Sequence, residues 1–190
     1  MGPFVLRSVV AAVVILLAPL AASAPVAAAQ LNDFFGTYVG VAVVRDDVGQ
    51  VVEERHMDIE ITPFRRGGFR ILWVNVSLID GRRDVPGVTR RIAEVAFEPK
   101  ARTDLFVEVT VGSVFERGEE LTPMAGDPVR WAKLDEEGLH VFSFVVLPDG
   151  GYELQIYTRY LTDVGLDLVF ERVVDGDTLR RIDGRTVRAN

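Results

Sequence analysis

The chain has 190 residues, no cysteine, and 21 Lys and Arg against 28 Asp and Glu, for a formal net charge of −7. Without cysteine it has no disulfide framework, no thiol nucleophile and no cysteine to carry an N-terminal lipid. An acidic surface repels phosphate backbones and anionic headgroups, which disfavours nucleic acid and electrostatic membrane binding.

The first segment reads as a secretory signal peptide over residues 1–29. Arg7 supplies the positive end, the run from Val9 to Leu20 is apolar apart from the break at Pro19, and the small-residue tail ends in Ala27-Ala28-Ala29 before Gln30. The proline and the tail argue against a retained membrane anchor. Cleavage after Ala29 would leave 161 residues carrying 20 basic and 28 acidic groups. That length suits one domain, 30–190, with its own core. The expected location is periplasmic or secreted, with no membrane span in the mature chain.

From Phe35 onward the chain alternates short runs rich in Val, Ile, Phe and Tyr with Gly, Asp or Pro, which is a strand-and-turn pattern. The first half offers TYVGVAVVR, VVEERHMDIEIT, GFRILWVNVSLI, TRRIAEVAFE and DLFVEVTV. Two longer interruptions, 80–87 and 113–127, read as a surface loop and as a short helical turn or lid carrying Glu116, Glu119 and Glu120. The second half offers RWAKLD, LHVFSFVVL, YELQIYTRYL, LDLVFERVV and TLRRIDGRTVR, separated by tight turns such as Pro148-Asp149-Gly150-Gly151 and Asp175-Gly176-Asp177. Sequential hairpins favour a single antiparallel up-and-down β-barrel of about 8–10 strands over a sandwich, which needs longer crossovers. The fold class is all-β.

The first strand opens Gly36-Thr37-Tyr38-Val39-Gly40. Glycines two residues either side of Tyr38 share its face, so the ring would sit between two positions without side chains and plug one end of a barrel. Here the sequence resembles the calycin group, the lipocalins and their bacterial lipocalin-like relatives. Their first strand begins Gly-x-Trp, often extended to Gly-Thr-Trp-x-Gly, with Tyr38 standing where the tryptophan would be. The resemblance implies an arginine from the last strands packed across that ring. Arg172 is the expected partner, with Arg180 and Arg181 as further candidates. It also implies a barrel that binds or carries a small hydrophobic ligand.

Inward alternation along the later strands places Tyr152, Leu154, Ile156 and Tyr160 on one face of the eighth, Leu166, Leu168 and Phe170 on the ninth, and Phe69, Ile71 and Trp73 on the third. A cavity lined this way would be apolar with a few polar tips, so Trp73, Asn75, Tyr152, Tyr160 and Phe170 are the candidate ligand-binding residues. Barrel closure falls to Gly36, Tyr38, Gly40 and Arg172. Eight strands would leave the interior filled by side chains, whereas ten leave a void.

No catalytic set emerges. Ser77, Ser113 and Ser143 lie in no nucleophile elbow, and the pairs Glu53-Glu54, Glu119-Glu120 and Glu136-Glu137 fall on opposite strand faces or in turns. His56, Asp58 and Glu60 share a face that reads as solvated surface rather than a metal site. No phosphate loop or dinucleotide fingerprint is present, and no cofactor is expected. Three alternatives stay open: an envelope interaction protein with a side-chain-filled barrel, motivated by the apolar face Leu72, Val74, Val76 and Leu78; a barrel isomerase or cyclase; and a haem binder using His140.

Overall fold

A computed structural model describes residues 29–100, 104–109 and 121–189. All but the last residue of the expected signal segment 1–29, and most of the 113–127 interruption, lie outside the described residues. Ten antiparallel strands follow one another in order, and the tenth returns to pair with the first, closing a barrel. They are β1 (Gly36–Arg45), β2 (Val51–Phe64), β3 (Gly68–Ser77), β4 (Arg90–Pro99), β5 (Leu105–Val109), β6 (Val129–Leu134), β7 (Leu139–Val146), β8 (Tyr152–Leu161), β9 (Gly165–Val174) and β10 (Asp177–Ala189). Each run of β-branched and aromatic residues became a strand because its neighbours in sequence supply the pairing partner, through short turns except between β3 and β4 and between β5 and β6. Among the described residues no helix is long and apolar enough to cross a membrane.

The seam that closes the cylinder runs from Thr37 opposite Ala189 to Arg45 opposite Arg181. Here the second glycine of the opening motif is required by close approach. A Cβ at Gly40 would run into the carbonyl oxygen of Arg185 and come within 2.7 Å of Thr186 Cα, so only glycine lets β1 lie against β10. Residues 80–87 form an exposed loop, with an isolated bridge between Ile79 and Arg82 at its base.

The core fills one end of the barrel. Phe34, Tyr38, Ile61, Phe69, Ile71, Phe97, Leu139 and Leu166 are all fully buried, and Phe69 stacks on Phe97 with centroids 5.0 Å apart while meeting Phe106 edge-on at 5.2 Å. These residues occupy successive inward positions, for the register sets Ile61 opposite Ile71, Ile71 opposite Val95 and Phe69 opposite Phe97. Toward the other end the inward positions turn polar: Glu53 and Arg55 on β2, Ser77 on β3, Arg130 on β6, Glu153 on β8 and Arg172 on β9. Apolar burial therefore seals one mouth and leaves the other wet.

Candidate functional site

The sealed mouth is built around the opening motif. The turn Leu31–Phe34 tucks beneath the barrel, and the Tyr38 hydroxyl donates to the Phe34 carbonyl at 2.8 Å. Burial raises the Tyr38 phenol above its ordinary value, opposed by the nearby guanidinium, so the ring stays neutral and donating. The cation over the ring is Arg188, centred 5.0 Å from it, and not the expected Arg172. Arg188 also donates to the carbonyls of Phe35 at 2.6 Å and Asp33 at 2.7 Å. The register explains the difference: Arg188 pairs with Tyr38 directly across the seam, whereas Arg172 lies toward the far mouth opposite Gln155 and Arg180. A Cβ at Gly36 would meet the Arg188 guanidinium at 3.0 Å and the Tyr38 ring at 3.7 Å, so this glycine makes room for the stack.

Above the core lies a cavity of about 1000 Å³. Its lower wall is aromatic. Trp73 on β3 and Tyr157 on β8 reach across the lumen to a centroid separation of 6.0 Å, and Tyr157 meets Phe170 on β9 at 4.7 Å. Trp73, Asn75 and Phe170 line the cavity together with Met57, Ile59 and Leu168. Tyr152 and Tyr160 do not line it; both are exposed on the outside of β8. The inward face of β8 is the polar one, Glu153, Gln155, Tyr157 and Arg159. Pairing with β9 dictates this, since Tyr157 stands opposite Phe170 and Arg159 opposite Leu168. Tyr157, which the sequence reading did not select, is the ring that meets both Trp73 and Phe170. Its hydroxyl donates to Gln155 Oε1 at 2.7 Å, and burial raises its phenol above the usual value.

The charge inside is opposite to that of the chain as a whole. Among the described residues seven arginines line the cavity, Arg55, Arg90, Arg91, Arg130, Arg159, Arg172 and Arg180, against one carboxylate, Glu94. Three of them are answered by acids on neighbouring inward positions. Arg55 makes two bonds of 2.8 Å to Glu53, Arg130 holds Glu108 at 2.9 and 3.1 Å, and Arg172 holds Glu153 at 3.0 and 2.6 Å. Hydrogen bonding from Arg55, with help from the Ser77 hydroxyl, holds the Glu53 carboxyl down at about 2. Glu153 is lowered by Arg172 in the same way.

Arg159 differs from these. It is 4% exposed, sits one inward position closer to the sealed floor than Tyr157, and is flanked by Leu139 on β7 and Leu168 on β9. Its Nε and Nη1 are buried and have no hydrogen-bond partner among the described residues. Burial pulls the guanidinium down to about 10, which still leaves it protonated at neutral pH.

Neither histidine enters the cavity. His140 lies on the outer face, with Nδ1 3.2 Å from Thr158 Oγ1 and Nε2 3.0 Å from Asp135 Oδ1, so both ring nitrogens are engaged and the haem alternative loses its ligand. The Asp135 carboxyl is lowered well below the usual range: burial opposes this, and bonds from Lys133, His140 and two backbone amides outweigh it. His56 pairs with Asp58 on the outside of β2 at 3.6 Å. No cluster of three or more metal-ligating side chains occurs among the described residues.

Ten meandering strands closed on themselves, stoppered by the Gly-x-aromatic motif and hollow at the other end, define a lipocalin-like β-barrel of the calycin type. Comparison with solved structures agrees. The chain resembles a protein of unknown function of the DUF3598 family from Nostoc punctiforme, with a TM-score of 0.51 and 11% identity over 85% of this chain. It also resembles the S-type phycobiliprotein lyase CPES from Guillardia theta, with a TM-score of 0.52 and 11% identity over 84% of this chain. This chain spans 50% of the first protein and 90% of the second. At such identities the likeness is one of fold alone. No protein-family model matches the sequence, and comparison with curated proteins finds no match.

Proposed function

We propose that the protein binds a small, largely apolar molecule inside the barrel and does so after export. The observation that carries the reading is the cavity of about 1000 Å³ with Trp73, Tyr157 and Phe170 converging on it. Small-molecule sites are concave, with apolar and aromatic walls and polar groups that fix orientation, and their usual volumes run from about 300 to 1000 Å³; here three rings and several aliphatic side chains form the walls and the arginines supply the polar groups. The fold likeness to a phycobiliprotein lyase supports a barrel that holds a small molecule; at 11% identity it carries over neither lyase chemistry nor a substrate. Export rests on the sequence pattern at Arg7, Val9 to Leu20 and Ala27 to Ala29.

The chain contains two tryptophans, and only Trp73 lines the cavity; Trp131 stacks on Phe142 at 5.1 Å on the outer face. A Trp131→Phe variant therefore leaves Trp73 as the sole indole reporter. Titration with the neutral dye N-phenyl-1-naphthylamine is expected to give saturable enhancement of dye emission with matching quenching of Trp73. Dye emission that rises without saturation, or with Trp73 unaffected, would remove the lumen as the binding site.

A further inference from the structure

A buried guanidinium is expensive. A charge removed from water must be answered by an opposite charge or by acceptors, and where neither is present the fold bears the cost. Three other cavity arginines obey this rule: Arg55, Arg130 and Arg172 each hold a glutamate, near the wet mouth where water still reaches them. Among the described residues Arg159 has neither. Leucines flank it, its Nε and Nη1 lack acceptors there, and the one carboxylate among the described lining residues, Glu94, is partnered by Arg70 at 3.1 Å. A buried arginine left unanswered, where Arg55, Arg130 and Arg172 each hold a glutamate, marks a place where something absent from the chain completes the pair.

We propose that Arg159 is the anion-recognition group of the cavity and that the ligand is an apolar molecule ending in a single carboxylate, bound head-down with its acid against Arg159 and its body against Trp73, Tyr157 and Phe170. This deepens the reading above and rests on it. The carboxylate is favoured because the planar guanidinium matches its two oxygens, and because one uncompensated positive charge balances a monoanion but leaves a phosphate dianion with surplus charge in an apolar floor. Arg90, Arg91 and Arg180, which make no ion pair within 4 Å among the described residues, are exposed toward the mouth, where they draw an anion in against the negative charge of the chain as a whole.

The test compares palmitate with hexadecanol, an acid and an alcohol of equal chain length, as competitors for the neutral dye on the purified protein. Palmitate is expected to displace the dye at least about tenfold more effectively than hexadecanol. The Arg159→Gln variant is expected to lose that preference while still binding the dye and the alcohol. Circular dichroism checks that the variant folds; if it does not, Arg159→Met, which fills similar space without charge, takes its place, and the wild-type comparison stands without either. Equal displacement by acid and alcohol in the wild-type protein would overturn the proposal, as would a variant that keeps the preference, since the mouth arginines would then be its source. Both of those outcomes leave the cavity reading intact, whereas a wild-type protein that binds no dye would overturn the cavity reading and this inference with it.

Discussion

Replacing Arg188 by alanine removes three contacts from the sealed end at once, and the size of the loss follows from their geometry. The guanidinium donates to Phe35 O at 2.6 Å and to Asp33 O at 2.7 Å, and stands 5.0 Å from the Tyr38 ring centroid. Hydrogen bonds from a charged donor contribute about 1.5–3 kcal/mol when shielded, but this side chain is exposed and water can take over the vacated carbonyls, so about 0.5–1 kcal/mol each is the fair net value. The cation over the ring adds about 0.5–1 kcal/mol at an exposed site. The sum is about 2 kcal/mol. With a urea m-value of about 2 kcal/mol/M, the unfolding midpoint should fall by about 1 M with an unchanged slope. Arg188→Lys keeps the charge but loses the planar fork, and should recover less than half of the loss. A midpoint shift below about 0.3 M for the alanine variant would refute the claim that this arginine ties the last strand to the segment beneath the barrel.

Tyr38→Phe keeps the plug but leaves the buried Phe34 carbonyl without its donor, and denaturant unfolding should show a loss of about 1–2 kcal/mol. Gly40→Val forces a side chain into the Arg185 carbonyl and Thr186 across the closing seam; it should cost more than about 3 kcal/mol or abolish soluble expression. Acid should weaken the open mouth. The folded Glu53 carboxyl titrates at about 2 against an ordinary value of 4.5, so its contribution is fully present above pH 4.5 and is lost as pH falls toward 2. Melting temperatures followed from pH 7 to pH 2 should fall less steeply through that window in Glu53→Gln than in the wild-type protein.

The barrel was legible because each strand carries its own alternation and its own turn, and a meander asks for nothing nonlocal except the last seam. Even that seam had a local signal, in the glycines flanking Tyr38. The inner surface was harder to read. On β3 and β9 the apolar alternation does mark the inside, which is why Trp73 and Phe170 were found. On β8 it marks the outside: Tyr152, Leu154, Ile156 and Tyr160 face away from the lumen, and the more polar set that includes Tyr157 and Arg159 faces in. A rule that sends apolar faces inward fails at a strand that lines a charged cavity. The correcting signal was present in the turn before β9. Leu161 pairs with Leu166, and that loop length places the odd positions of β8 on the same side as the even positions of β9. The partner of Tyr38 was misjudged for a similar reason: the seam register puts Arg188, near the end of β10, at the ring, while Arg172 on β9 stands opposite Arg180, eight residues earlier along β10 and well above the floor.

Because Thr37 stands opposite Ala189, the chain enters and leaves the cylinder at one pole, the stoppered one. A purification tag, a fused reporter or a surface linkage joined before Gly36 or after Ala189 would project from that pole and leave the opposite rim unobstructed. Immobilised through either terminus, every molecule would present its opening to the bulk solution in the same orientation.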